Sequence, residues 1–126
     1  MTTKAPADRM KEIVDIHRLE LLAENSMKRQ DLYSALQSYQ QVLSLKIKLK
    51  NKVGQARTLN SIGKLCYEMG DYQSGRQYHR ELIGLLEKLS SDRIKKNFYR
   101  DLIDFYGGLG DIEAVNTLKQ CLRGIK

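Results

Sequence analysis

Cysteine is scarce: Cys66 and Cys121 are the only two in 126 residues. That is too few for a disulfide framework and fits free thiols in a reducing compartment. The two cysteines and two histidines never fall at CxxC or HxxxH spacing, which argues against zinc. No apolar run approaches the roughly twenty residues of a membrane span. The first seven residues, Met1 to Ala7, lack the apolar core of a signal peptide. Cytoplasmic residence is the expectation from these missing signals. Proline occurs once, as Pro6, ahead of every helical pattern, so no internal proline breaks a helix further along. At 14.5 kDa the chain has room for one domain. Its 41% hydrophobic and 29% charged content is that of a globular protein.

What is plentiful is positive charge. Lys and Arg total 22 against 15 Asp and Glu, a net +7. The excess is spread out, with six positive and five negative side chains in residues 1–30, nine and six in 31–92, and seven and four in 93–126. There is no basic arm. The densest run is Lys46, Lys48, Lys50 and Lys52, with a second cluster at Arg93, Lys95 and Lys96. On helices such runs read as solvated faces.

An internal repeat decides the architecture. Gln30-Asp31-Leu32 with Ala35, Gly70-Asp71-Tyr72 with Gly75, and Gly110-Asp111-Ile112 with Val115 recur at a spacing of 40 residues. Apolar positions keep the register: Leu19, Leu22 and Ala23 answer to Leu59, Ile62 and Gly63, then to Tyr99, Leu102 and Ile103. Tyr39, Val42 and Leu43 answer to His79, Leu82 and Ile83. The three-and-four spacing within each copy is that of a helix face. Gly70 and Gly110 supply the left-handed residue that ends a helix, and Asp31, Asp71 and Asp111 cap the helix that follows. Six helices are predicted, at about 8–29, 31–50, 53–69, 71–90, 93–109 and 111–125. Leu45-Lys46-Ile47-Lys48-Leu49-Lys50 alternates with period two, a strand signal taken alone. The repeat register assigns it to the end of the second helix.

The middle copy reads Ala56-Arg57-Thr58-Leu59-Asn60-Ser61-Ile62-Gly63, then Tyr67, Gly70-Asp71-Tyr72, Gly75 and Tyr78-His79. This wording resembles the tetratricopeptide repeat (TPR), with its apolar residue ahead of a Leu-Gly-type pair, an aromatic, a Gly-Asp-Tyr turn and a small residue after it. The 40-residue period, with Val53-Gly54-Gln55-Ala56-Arg57 and Tyr78-His79, is similar to the arrays of the Pins/LGN spindle adaptors, rapsyn and kinesin light chain. The resemblance covers about residues 16–126. It implies an all-α fold, a right-handed α-solenoid of three TPR helix-turn-helix repeats at about 16–55, 56–95 and 96–126. Residues 8–126 would form one domain behind a disordered segment, 1–7. It also implies a scaffold or adaptor that binds a peptide or partner protein without catalysis or cofactor.

In such an array the first helix of each repeat lines the concave face. Helical spacing groups Arg57, Asn60, Lys64 and Tyr67 on that face, with Ser61 beside them. One repeat earlier the matching residues are His17, Glu20, Glu24 and Met27, and one repeat later Asn97, Arg100, Asp104 and Gly107. The complementary ligand carries acidic residues near its centre and a basic residue toward the first repeat. In Pins/LGN-like arrays the arginine matching Arg57 is a ligand contact, so Arg57 and Lys64 are the expected anion contacts. Co-chaperone TPR domains hold a C-terminal carboxylate with Lys, Asn, Asn, Lys and Arg. The positions here are Glu20, Glu24, Ser61, Asn97 and Asp101, and three carboxylates would repel such a tail.

No nucleophile, base and orienting group converge in the pattern. His79 sits where the repeat packs its helices together, and Cys66 at an aromatic packing position. Gly107-Gly108-Leu109-Gly110 ends a helix and is not a phosphate loop. The last helix turns Val115, Leu118, Leu122 and Ile125 inward, flanked by Ile112 and Cys121. No solvating helix is expected after it, so Ile112, Cys121, Leu122 and Ile125 form a candidate assembly surface, and stacking on another copy is the alternative role. Nucleic-acid binding through Lys46 to Lys52, Arg93 to Lys96 and Arg76/Arg80 is the third reading, and it lacks a stacking platform.

Overall fold

The structure is a computed structural model that describes residues 5–125. Six α-helices follow one another: α1 (Pro6–Lys28), α2 (Leu32–Lys48), α3 (Lys52–Glu68), α4 (Tyr72–Leu86), α5 (Asp92–Gly108) and α6 (Ile112–Arg123). There is no strand among the described residues. The period-two lysine run is helical to Lys48, as the repeat register requires. Helix α1 begins at Pro6, where a proline suits the first turn because its missing N–H would have had no partner there. Residues 1–4 of the expected disordered segment lie outside the described residues.

One turn is used four times. Gln30 (φ 59°), Lys50 (φ 56°), Gly70 (φ 81°) and Gly110 (φ 75°) each adopt the left-handed conformation after a helix. The amide of the next residue then reaches back over the last turn: Asp31 N–H to the Ser26 carbonyl at 2.8 Å, Asn51 to Lys46 at 3.0 Å, Asp71 to Cys66 at 2.9 Å and Asp111 to Tyr106 at 3.0 Å. The same residue caps the next helix. Asp31, Asn51, Asp71 and Asp111 accept the amides of Ser34, Gly54, Ser74 and Ala114 at 3.3, 2.9, 3.2 and 3.1 Å. The turn does not recur near residue 90. Helix α4 was expected to run to 90 and stops at Leu86. Leu89 beyond it is buried, and the Ser91 side chain accepts the Ile94 amide to start α5.

The chain divides into two compact units, Met1–Leu85 and Leu86–Lys126. In the first, α1 packs on α2 and α2 on α3. Its interior is built from Ile16, Ala23, Ala35, Val42, Ala56, Leu59, Ile62, Leu65, Cys66 and Leu82. Small residues allow the close approach of α3 and α4. A Cβ on Gly75 would stand 2.6 Å from the Tyr67 ring and 3.0 Å from the Gly63 carbonyl. His79, 2% exposed, fills the space over Gly63. Its ring lies near-parallel to Tyr67 at 6.2 Å between centroids. Leu22 departs from its register mates: it is 49% exposed, whereas Ile62 and Leu102 are buried. In the second unit, Tyr99, Leu102 and Tyr106 of α5 and Leu118 of α6 are buried where the two helices pack.

Candidate functional site

The first unit holds a recess of about 180 Å³ between its first three helices. Helix α1 contributes Glu20 and Glu24, one turn apart; α2 contributes Tyr39 and Lys46; α3 contributes Arg57, Thr58 and Ser61. Four of these, Glu20, Glu24, Arg57 and Ser61, belong to the face expected from the sequence. Lys46, Tyr39 and Thr58 were not expected.

Lys46 is the clearest correction. Its run reads as a solvated face, yet the Lys46 side chain is 8% exposed, whereas Lys48, Lys50 and Lys52 are exposed. The ammonium donates to Glu20 Oε2 at 3.2 Å and to Thr58 Oγ1 at 3.0 Å. It thereby ties α2 to both neighbouring helices. The Thr58 hydroxyl in turn donates to the Gly54 carbonyl at 3.0 Å. Gly54 is buried and leaves room for the aliphatic stem of Lys46, which a Cβ there would meet at 3.0 Å. Two helical turns of α2 separate Lys46 from Tyr39, whose half-buried phenol shares the recess. Burial, and then the carboxylates of Glu24 and Glu20, push the Tyr39 phenol above its ordinary value, so it stays protonated at neutral pH.

The other face residues are placed as follows. His17 is exposed on α1 and Lys64 half-buried on α3. Asn60 is buried, and its carbonyl accepts from His79 Nε2 at 3.4 Å. The Tyr67 ring is engaged with His79 and with Tyr72, 5.5 Å away between centroids. Asn60 and Tyr67 therefore serve packing between α3 and α4. In the second unit Asn97, Arg100 and Asp104 are exposed on α5. On and after α6, Ile112 is 74% exposed, while Cys121, Leu122 and Ile125 are half-buried. Cys66 is buried, and burial followed by the Asp71 carboxylate raises its thiol.

The family model described as Tetratricopeptide repeat matches residues 15–88, more than half of the chain. The chain belongs to the tetratricopeptide repeat family. The match takes in most of α1 and all of α2 and α3, and ends just beyond α4. TPR repeats are generally protein–protein interaction modules and TPR proteins generally non-enzymatic scaffolds, which implies protein partners for this one. Comparison with curated proteins and with solved structures returned no match. Among the described residues, no TPR helix is long and apolar enough to cross a membrane.

Proposed function

We propose that the chain is a non-enzymatic adaptor that holds a peptide segment or partner domain on the surface where α1, α2 and α3 meet. An acidic stretch of the partner lies along Arg57 and Lys64. The observation that carries this reading is the recess itself: a TPR helix array opens a polar pocket of about 180 Å³ with Arg57 exposed on its rim. The histidine chemistry supports it too. His79 is enclosed by Tyr67, Gly63 and the Asn60 carbonyl, which suits packing rather than proton transfer to a substrate. A chaperone's C-terminal carboxylate is a poor partner, because it would meet Glu20 and Glu24. Nucleic acid is disfavoured because Lys46, the first member of the basic run, is turned inward.

The test is a pull-down from nuclease-treated cytosol with wild type and a folded Arg57→Glu/Lys64→Glu variant. Loss of a specific protein partner in the variant supports the reading. Retention of the same partners overturns it. A second reading, association through α6, is favoured by the 74% exposure of Ile112. Light scattering that gives the mass of one chain at tens of micromolar overturns it.

A further inference from the structure

Among the described residues, the recess separates two charges that belong to no ion pair from two that form one. On its floor, Lys46 is satisfied by Glu20 at 3.2 Å and Thr58 at 3.0 Å. On its rim stand the Glu24 carboxylate on α1 and the Arg57 guanidinium on α3, both exposed. Among the described residues neither takes part in an ion pair, with each other or with anything else. A carboxylate and a guanidinium that face one cavity without meeting leave room for a group of each sign between them. The half-buried Tyr39 phenol adds a neutral hydroxyl on the Glu24 side, where the carboxylates of Glu24 and Glu20 both act on it. The cavity of about 180 Å³ suits one long side chain, and its exposed rim lets a chain enter and leave.

Resting on the peptide-binding reading above, we propose that the recess takes the guanidinium or ammonium head of a peptide side chain at Glu24 and Tyr39. An acidic side chain of the same peptide lies on Arg57. The segment that enters the recess is thus dipolar rather than acidic throughout, with a basic residue beside the acidic part that meets Arg57. A wholly acidic segment would bring carboxylates against Glu20 and Glu24, and a wholly basic one would face Arg57 and Lys46; like charges at such range disfavour both. A segment with one charge of each sign meets complementary groups on both walls and leaves the Lys46–Glu20 pair undisturbed. Glu24 then selects for the basic residue, and Arg57 fixes the direction in which the peptide runs.

The experiment uses labelled peptides on one uncharged Gly/Ser/Ala scaffold, read by fluorescence polarisation. The dipolar set carries one Arg and one Glu in both orders, separated by zero to about four residues, a range that extended backbone spans within one small cavity. Controls carry Glu alone, Arg alone, or neither. The expected result is that one order and spacing binds at least tenfold tighter than either single-charge peptide. Glu24→Gln removes that tenfold and binds the Glu-only peptide at least as well as wild type, since one repelling carboxylate is gone; Arg57→Gln weakens both. Glu24→Arg shifts the preference to a peptide whose Arg is replaced by Glu. Both positions are exposed, and circular dichroism verifies that each variant is folded. Equal affinity of wild type for the Glu-only and the best dipolar peptide overturns the inference and leaves the adaptor reading standing. A dipolar advantage that survives Glu24→Gln overturns the placement of the basic side chain. Absence of binding by every peptide overturns the inference, and the pull-down then decides the adaptor reading separately.

Discussion

Replacing Glu20 by alanine withdraws one of the two acceptors that hold the Lys46 ammonium inside the first unit. The side chain of Lys46 is 8% exposed and that of Glu20 38% exposed. With Glu20 gone, Thr58 Oγ1, at 3.0 Å, is the remaining acceptor among the described residues for a positive charge that stays mostly out of water. Removing one partner of a fully buried ion pair costs about 3–5 kcal/mol. The open side of Glu20 lets water reach the site and screens the charge, which lowers the expected cost to about 2 kcal/mol. At this chain length that corresponds to a melting temperature lower by about 6–10 °C.

Lys46→Met works the other way. It deletes the buried charge, fills the space above Gly54 with a chain of similar shape, and frees Glu20 to turn into water. Thr58 keeps its bond to the Gly54 carbonyl at 3.0 Å. Stability should stay within about 1 kcal/mol of wild type, because a buried charge and its desolvation disappear together. The double variant should recover most of what Glu20→Ala loses. Urea denaturation followed by circular dichroism measures all three. If Lys46→Met costs as much as Glu20→Ala, the pair is a net source of stability and the desolvation argument is wrong.

Other consequences follow from the turns and the close helix contact. Gln30 and Lys50 hold φ of 59° and 56°, so Gln30→Gly and Lys50→Gly should each raise stability by about 0.5–1 kcal/mol in urea melts, net of the extra freedom glycine has when unfolded. Gly75→Ala pushes a methyl group to 2.6 Å from the Tyr67 ring with the Gly63 carbonyl at 3.0 Å behind it. It should lose about 1–3 kcal/mol by overpacking, and an unchanged urea midpoint would refute the close approach. Asp31 and Asp71 have carboxyl values below the ordinary one, each through its side-chain hydrogen bond at Ser34 or Ser74 and then the backbone bond there. Because the folded values are depressed, their contribution is present above the unfolded value and fades as pH falls through the lower folded one. Asp31→Asn/Asp71→Asn should flatten the stability profile across that acid window, since an asparagine cap does not titrate; an unchanged acid slope would refute it.

Backbone architecture was legible because it depends on signals that survive in one sequence. Gly70 and Gly110 mark turns whose left-handed residue glycine adopts freely, and both lie at positive φ. Asp31, Asp71 and Asp111 mark caps, and each accepts the expected amide. The end of α4 was less visible, because Leu89 extends the apolar pattern although its backbone has left the helix. Positions on α1 and α3 could be grouped by helical spacing, but spacing does not say which way the whole helix is rotated. A small rotation separates Arg57, which is exposed, from Asn60, which is buried against α4.

Lys46 shows where the sequence held more than its chemistry suggested. Taken by residue type, a lysine in a run of four belongs in water. Taken by register, its mate one repeat later is Leu86, which is fully buried. The register describes backbone placement, and the same inward position is used twice with opposite polarity. A lysine can occupy it only if acceptors converge on the ammonium, and the first repeat supplies Glu20 and Thr58. That substitution has a consequence for recognition. By engaging Glu20, Lys46 takes one carboxylate of the recess out of competition and leaves Glu24 opposite Arg57. Lys46 therefore need not touch a ligand to influence what the site selects. If Lys46→Met releases the second carboxylate, it should strengthen binding of an Arg-only peptide while the protein remains folded. Unchanged binding of that peptide would mean that the buried pair serves packing alone.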